Sequence, residues 1–209
     1  MKLFIKISFI LFFLILYSNS ALAADWEYWS NYPISVKLTD KIDFRFIQQF
    51  RLNDHFGRFY LYKNYIGPAF KLNEHLKISP LYEYKISRNT GGWKPDNIGN
   101  LDADLKLFDS LLSCRFRLEY SFTNSQCVSR NKFKLSKKIP KIGGLSFFVW
   151  DEIFYNFKVH KLNENRSSVG FSKDINKHLT FDLSYILRYR KADSWYNSNI
   201  LQTDLKIKF

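Results

Sequence analysis

The chain has 209 residues, with 21 Phe, 13 Tyr and 5 Trp against 8 Gly and 5 Pro, and a formal charge of +13. So many aromatics beside so little Gly and Pro exclude a disordered tail, a collagen repeat and a low-complexity segment. The 2 Cys are too few for a disulfide scaffold or an all-cysteine zinc site, and no P-loop, G-x-G-x-x-G, H-E-x-x-H or EF-hand motif implies a cofactor or metal.

The first element is a leader. Lys2 and Lys6 open it, residues 7–17 are apolar, and Ala21-Leu22-Ala23 forms the small-x-small pattern of a secretory cleavage site. The apolar run falls short of the roughly 20 residues a spanning helix needs. Residues 1–23 are therefore expected to be a signal peptide cleaved after Ala23, and residues 24–209 the mature domain. Ala24 and Asp25 follow the cut where a lipoprotein would place a Cys. Removal leaves 209 − 23 = 186 residues and, without Lys2 and Lys6, a charge of 13 − 2 = +11.

From there the period is two. Ile42, Phe44, Phe46, Phe50 and Leu52 alternate with Asp43, Arg45, Gln49 and Arg51; Cys114, Phe116, Leu118 and Tyr120 alternate with Arg115, Arg117 and Glu119. Residues 179–190 repeat the pattern with Ile186 as the exception, and Leu201 to Phe209 close on it. Side chains alternate across a strand, so one face is greasy and the other ionic. Eleven such segments are legible: 26–38, 41–52, 59–72, 75–87, 98–108, 111–122, 128–139, 145–157, 166–174, 178–190 and 199–209. They exceed the five or six residues usual for a soluble strand and suit tilted membrane strands of about 9 to 11 residues with overhang.

The connections also alternate. Those around Thr39-Asp40, Asn73-Glu74, Asp109-Ser110, residues 140–144 and residues 175–177 are tight; residues 53–58, 88–97, 123–127, 158–165 and 191–198 are longer and polar. That sorting predicts an all-β, transmembrane, antiparallel up-and-down β-barrel with short periplasmic turns and longer outer loops. A bacterial barrel closes on an even number of strands, and Pro33 has no N–H for a ladder. Residues 25–32 are accordingly expected to form a separate short strand, making twelve; ten is the alternative if two weaker segments are loop.

Trp26, Tyr28, Trp29, Tyr32, Tyr60, Tyr62, Tyr65, Tyr82, Tyr84, Trp150, Tyr185, Tyr189 and Trp195 cluster towards segment ends, as a lipid-interface belt would. Phe209 as last residue, with apolar partners two and four places back, resembles the C-terminal signal read by the bacterial barrel-assembly machinery. The location expected is the outer membrane of a Gram-negative cell, with outer-membrane lipid and lipopolysaccharide as surroundings. A basic exported chain whose cations alternate with greasy residues is not a nucleic-acid binder.

Trp26, the run Val36-Lys37-Leu38-Thr39-Asp40-Lys41, Gln48-Gln49-Phe50-Arg51, Phe59-Tyr60-Leu61-Tyr62 and Tyr65-Ile66-Gly67-Pro68-Ala69-Phe70-Lys71-Leu72-Asn73 resemble the uncharacterised outer-membrane barrel group called domain-of-unknown-function family 2490. Pro68 departs from the strand-compatible residue expected there. The resemblance implies fold and location and no activity.

Function then rests on the interior. With apolar faces outward, Arg45, Arg51, Lys85, Lys106, Arg115, Arg117, Lys132, Arg188 and Arg190 are the candidate lumen residues, and basic groups outnumber acidic ones. An open lumen would favour anions, which makes a narrow, porin-like channel for small anionic solutes the first reading. The second is a barrel plugged by its own ion pairs, structural or interacting through its outer loops. The third is a lipid- or lipopolysaccharide-modifying enzyme, for which His55 or His160 with Ser167 or Ser168 are the available base and nucleophile, although no elbow motif is present. Asp102 and Asp104 share a face and could hold a cation, with Lys106 close enough to pair instead. Cys114 and Cys127 fall about eight residues apart along paired strands, too far for a disulfide, so both thiols are expected free with Cys114 on the outer face.

Overall fold

The computed structural model describes residues 25–140, 143–191 and 195–209; the expected leader lies outside them. Eleven strands, β1 (Trp26–Lys37), β2 (Ile42–Asn53), β3 (Arg58–Lys71), β4 (Leu76–Asn89), β5 (Gly92–Leu107), β6 (Leu112–Ser121), β7 (Gln126–Lys138), β8 (Leu145–Asn156), β9 (Lys161–Asp174), β10 (Leu179–Lys191) and β11 (Trp195–Lys208), follow one another around a closed barrel. Every sequential pair is antiparallel, and β1 closes on β11 in parallel. No helix occurs among the described residues.

Each period-two segment has become one strand, so among the described residues the count is eleven, neither twelve nor ten. The even-number rule assumes that every neighbour is antiparallel, and a parallel seam removes that requirement. Pro33 does not break β1: it pairs with Ile47 of β2 while the seam to β11 skips Tyr32 and Pro33. The missing N–H falls on the side where no ladder bond is needed. The seam is reinforced inside by Asn31 donating to Asp204 (2.5 Å) and outside by the Tyr28 and Thr203 hydroxyls (2.7 Å).

The expected sorting of loops is overturned. The longer polar segments are largely strand: Trp93 to Asn97 belong to β5 and Lys161 to Asn165 to β9, leaving turns at residues 54–57, 90–91, 122–125 and 157–160. Polarity there reflects residues turned into the barrel, such as Asp96 and Glu164, both buried. Two β-bulges, at Arg51/Leu52 and Phe154/Tyr155, lie towards the end away from Phe209; the first turns Tyr60 inward, where its hydroxyl donates to Glu27 (2.6 Å).

Pro68 is accommodated by a gap. The β3–β4 ladder runs from Leu61–Ser87 to Ile66–Tyr82 and resumes at Phe70–Ile78, so Pro68 and Pro80 share the stretch without pairing. Gly67 lets the strands close in there, since a Cβ would sit 2.3 Å from the Pro80 carbonyl oxygen.

The faces are as the alternation demands. Phe44, Ile66, Leu101, Phe116, Leu118, Phe133, Phe171 and Leu183 are exposed on the outside, while Asp43, Arg51, Glu83, Asp102, Arg117, Glu152 and Arg188 are buried inside. One wall departs from this. Trp29, Phe148, Trp150, Ile186 and Ile200 form a buried apolar cluster on the inner side of β1, β8, β10 and β11. Gly170 makes room for it, because a Cβ there would lie 2.6 Å from the Phe148 ring and 2.6 Å from Ser184 Cβ. Trp29, Tyr65 and Trp150, expected at a lipid interface, therefore point into the barrel.

Candidate functional site

Ionic residues inside a barrel must pair or stay wet, because an isolated charge out of water is costly. Across the middle they pair. Trp29 is the hub: its indole N–H donates to Glu27 (2.8 Å), and the Arg51, Arg166 and Arg188 guanidinium carbons lie 3.6, 4.8 and 5.6 Å from its ring centroid. Glu27 also takes Arg188. Arg166 joins Glu164 and Glu152, Glu152 takes Arg130 (3.0 Å), and Arg130 reaches Glu119 (2.6 Å). Arg117 clamps Asp102 through two bonds of 2.5 and 2.7 Å and lies 5.2 Å from the Tyr65 ring. Lys63 pairs with the fully buried Glu83 at 2.6 Å.

Several of these contacts cross the lumen. Trp29 on β1 reaches Arg166 on β9, and Tyr65 on β3 reaches Arg117 on β6, each over two intervening strands. Together they form a layer of side chains from nearly every strand. Beyond it, away from Phe209, Lys85 pairs with Asp96 (2.9 Å) and Arg190 with Glu164 (3.1 Å).

On the other side of that layer is a cavity of about 770 Å³ whose lining runs from Trp29, Arg51 and Arg117 to Asn73, His75 and Phe209 at the barrel end. Here pairing is incomplete. Arg115 holds Asp104 (2.7 Å), Arg45 reaches Asp104 (3.6 Å), and Lys206 holds Asp182. Lys77, Lys132 and Lys134 make no ion pair among the described residues; the Lys132 and Lys134 ammonium nitrogens lie instead 3.5 Å and 3.9 Å from the Trp150 and Phe148 ring centroids. The charges acting on Lys132 are Glu152, Arg115, Lys134 and Asp204. Asp204 is held by the Asn31 and Gln202 amides. The vestibule is a one-ended cup with a surplus of positive charge.

Of the sequence candidates, Arg45, Arg51, Lys106, Arg115, Arg117 and Lys132 line this vestibule, whereas Lys85, Arg188 and Arg190 belong to the filled half. The alternation also turns Lys77 and Lys134 inward, and both line the vestibule; the site residues it did not single out are Trp29, Phe148 and Trp150. The signal was present in Phe147-Phe148-Val149-Trp150, where alternation fails and both faces are apolar, the mark of a strand covered on both sides.

The other candidates resolve differently. Asp102 and Asp104 serve Arg117, Arg115 and Arg45. Ser167 donates to Asp151 (2.7 Å) on the outer face and Ser168 to the Tyr185 carbonyl (2.9 Å) on the inner one, so neither hydroxyl is directed at His160, which sits in an exposed turn. Both thiols are free; Cys114 keeps the outer face but is buried between Leu105 and Phe133.

The family model described as Protein of unknown function (DUF2490) matches residues 26–198, and the chain belongs to that family. No curated protein matches it.

Proposed function

We propose, for this member of the DUF2490 family, an outer-membrane barrel that is plugged across its middle and receives small anionic solutes in the basic vestibule at its Phe209 end. The observation that carries this is the inversion of faces: an exposed belt of Phe, Leu and Ile outside, and arginines, lysines and carboxylates inside. In water such a belt would forfeit about 25 cal/mol per Å² of apolar surface, whereas lipid covers it without penalty. The strands of 10 to 16 residues are long enough to span a bilayer when tilted.

The plugged alternative is favoured over the open channel because the Trp29 and Arg117 contacts occupy the lumen. A conducting path would require Trp29, Arg51 and Arg166 to leave it together. Anions are favoured in the vestibule because Lys77, Lys132 and Lys134 lack carboxylate partners among the described residues. Phe209 is exposed at the parallel seam, its N–H donating to the Ser35 carbonyl (2.9 Å), in a position that suits recognition by the barrel-assembly machinery. That end would then face the periplasm, and the vestibule would fill from there.

Fractionation, gel mobility and bilayer recording test the reading. The protein is expected in the outer-membrane fraction, soluble only with detergent, with heat-modifiable mobility and no steady conductance. Pyrophosphate should bind the solubilised protein and be released by added salt. A water-soluble monomer would overturn the membrane reading; a steady cation-selective current would overturn both plug and charge preference.

A further inference from the structure

The outer face carries a second concavity, at the end of β2–β5 remote from Phe209. It is shallow and open to its surroundings, with a volume of about 510 Å³, and is lined by Phe50, Phe59, Tyr62, Ile86 and Trp93. Its shape follows from residue size. Ile86 on β4 is a low floor between taller rings on β3 and β5. Trp93 on β5 reaches across β4 to Phe59 on β3, with ring centroids 5.4 Å apart, and Phe50 closes the side against Tyr62 at 5.0 Å. Two residues beyond Ile86, about 6.6 Å along the strand, stands Arg88. It is exposed, its guanidinium lies 6.0 Å from the Trp93 ring centroid, and it makes no ion pair among the described residues.

We propose that this groove is a specific site for one anionic phospholipid, with an acyl chain along Ile86 between the Phe59 and Trp93 rings and the phosphate on Arg88. The proposal rests on the membrane-spanning reading above and gives the barrel a fixed lipid neighbour. Elsewhere on the belt lipid tails meet side chains as apolar as themselves, with little reason to prefer one molecule. Here a shallow groove bordered by aromatic rings supplies van der Waals contact, and a guanidinium without an ion-pair partner among the described residues supplies the planar fork that grips a phosphate. Arg88 sits nearer the strand end than the rings, so head and tail would lie in the order a bilayer imposes. Zwitterionic lipids fit the groove equally but present a phosphate already balanced by their own cation.

The full mature chain in detergent is loaded with phosphatidylglycerol or with phosphatidylcholine of the same chains, and retained lipid is counted by native mass spectrometry. The wild type should hold one phosphatidylglycerol roughly fivefold more tightly than phosphatidylcholine. Arg88→Gln should erase that preference while Arg88→Lys keeps part of it, and Trp93→Ala should lose both lipids. All variants should retain heat-modifiable mobility, showing that the barrel is intact. Equal retention of the two lipids by wild type, or an unchanged preference in Arg88→Gln, would overturn the site while leaving the membrane barrel standing. A wild type that needs no detergent would overturn the barrel reading and the site with it.

Discussion

The two halves of the lumen are built from the same residue types to opposite effect. In the middle layer and the half remote from Phe209 most inward cations meet a carboxylate: Lys63 with Glu83, Lys85 with Asp96, Arg117 with Asp102, Arg188 with Glu27. In the half that opens beside Phe209, Lys77, Lys132 and Lys134 have none among the described residues, and the cavity is left free. Pairing cancels charge and fills space; leaving cations over aromatic rings keeps both charge and room. Where the interior is closed its ions pair with one another, and where it is open they are free for the anion proposed above.

The sharpest way to break this contrast is to delete one carboxylate from each half. Asp102 is fully buried between Arg117 and Arg115. Asp102→Ala removes both charge-assisted bonds of Arg117 and should cost about 3–5 kcal/mol, read as a lower urea midpoint for unfolding from vesicles. Asp43 meets Lys71 at 2.8 Å, but Lys71 is more than one-third exposed, so Asp43→Ala should cost less than about 1 kcal/mol. Equal losses would mean that the halves do not differ in kind.

Gly170 tests the wall that both halves share. Gly170→Val drives a side chain into Phe148 and Ser184 and should cost about 1–3 kcal/mol by overpacking. Gly143, with open space around it, should accept Ala with no measurable loss of heat-modifiable mobility.

Period two was enough to place all eleven strands and most of the inward charges, because a sheet turns alternate residues to opposite faces regardless of what surrounds it. It could not reveal the parallel seam, which is a fact of closure and leaves no local trace beyond Pro33. Nor could it separate loop from strand in residues 93–97, where inward Asp96 makes a strand look like a polar loop. A plugged barrel was one of the readings the sequence offered, but the contacts that cross the lumen were out of reach for a different reason. Trp29 meets Arg166 over two strands, and such contacts depend on barrel diameter and register, neither of which alternation encodes.

The vestibule's own charges come next in size. Lys134 lies over Phe148 at 3.9 Å with no carboxylate partner among the described residues. Lys134→Met preserves the stem and the ring contact, so stability should stay within about 1 kcal/mol, while pyrophosphate binding measured by calorimetry should weaken at least about fivefold. Lys85→Met, in the filled half, should leave binding unchanged. Loss of binding in Lys85→Met alone would put the ligand on the wrong side of the plug.

The smallest effect belongs to the turn at the vestibule mouth. Lys37 and Asp40 are 2.6 Å apart but both largely in water, and the hydrogen bond from Lys37 holds the Asp40 carboxyl below its ordinary value. That contribution exists above the ordinary carboxylate pKa and is lost as pH falls through the depressed one. Screening by solvent leaves it too small to detect, so Lys37→Ala should give an unfolding midpoint indistinguishable from wild type at neutral and at acid pH. The turn is held instead by Thr39, whose hydroxyl accepts from the Lys41 and Ile42 amides at 3.2 and 3.0 Å, and by the Leu38 amide donating to the Ile42 carbonyl at 2.9 Å. Thr39→Val removes the side-chain acceptor while keeping its shape and should cost about 0.5–1.5 kcal/mol. If Lys37→Ala proved the more damaging of the two, the mouth would owe its shape to charge, and the division between ions that hold the fold and ions left free for a ligand would not extend to the rim.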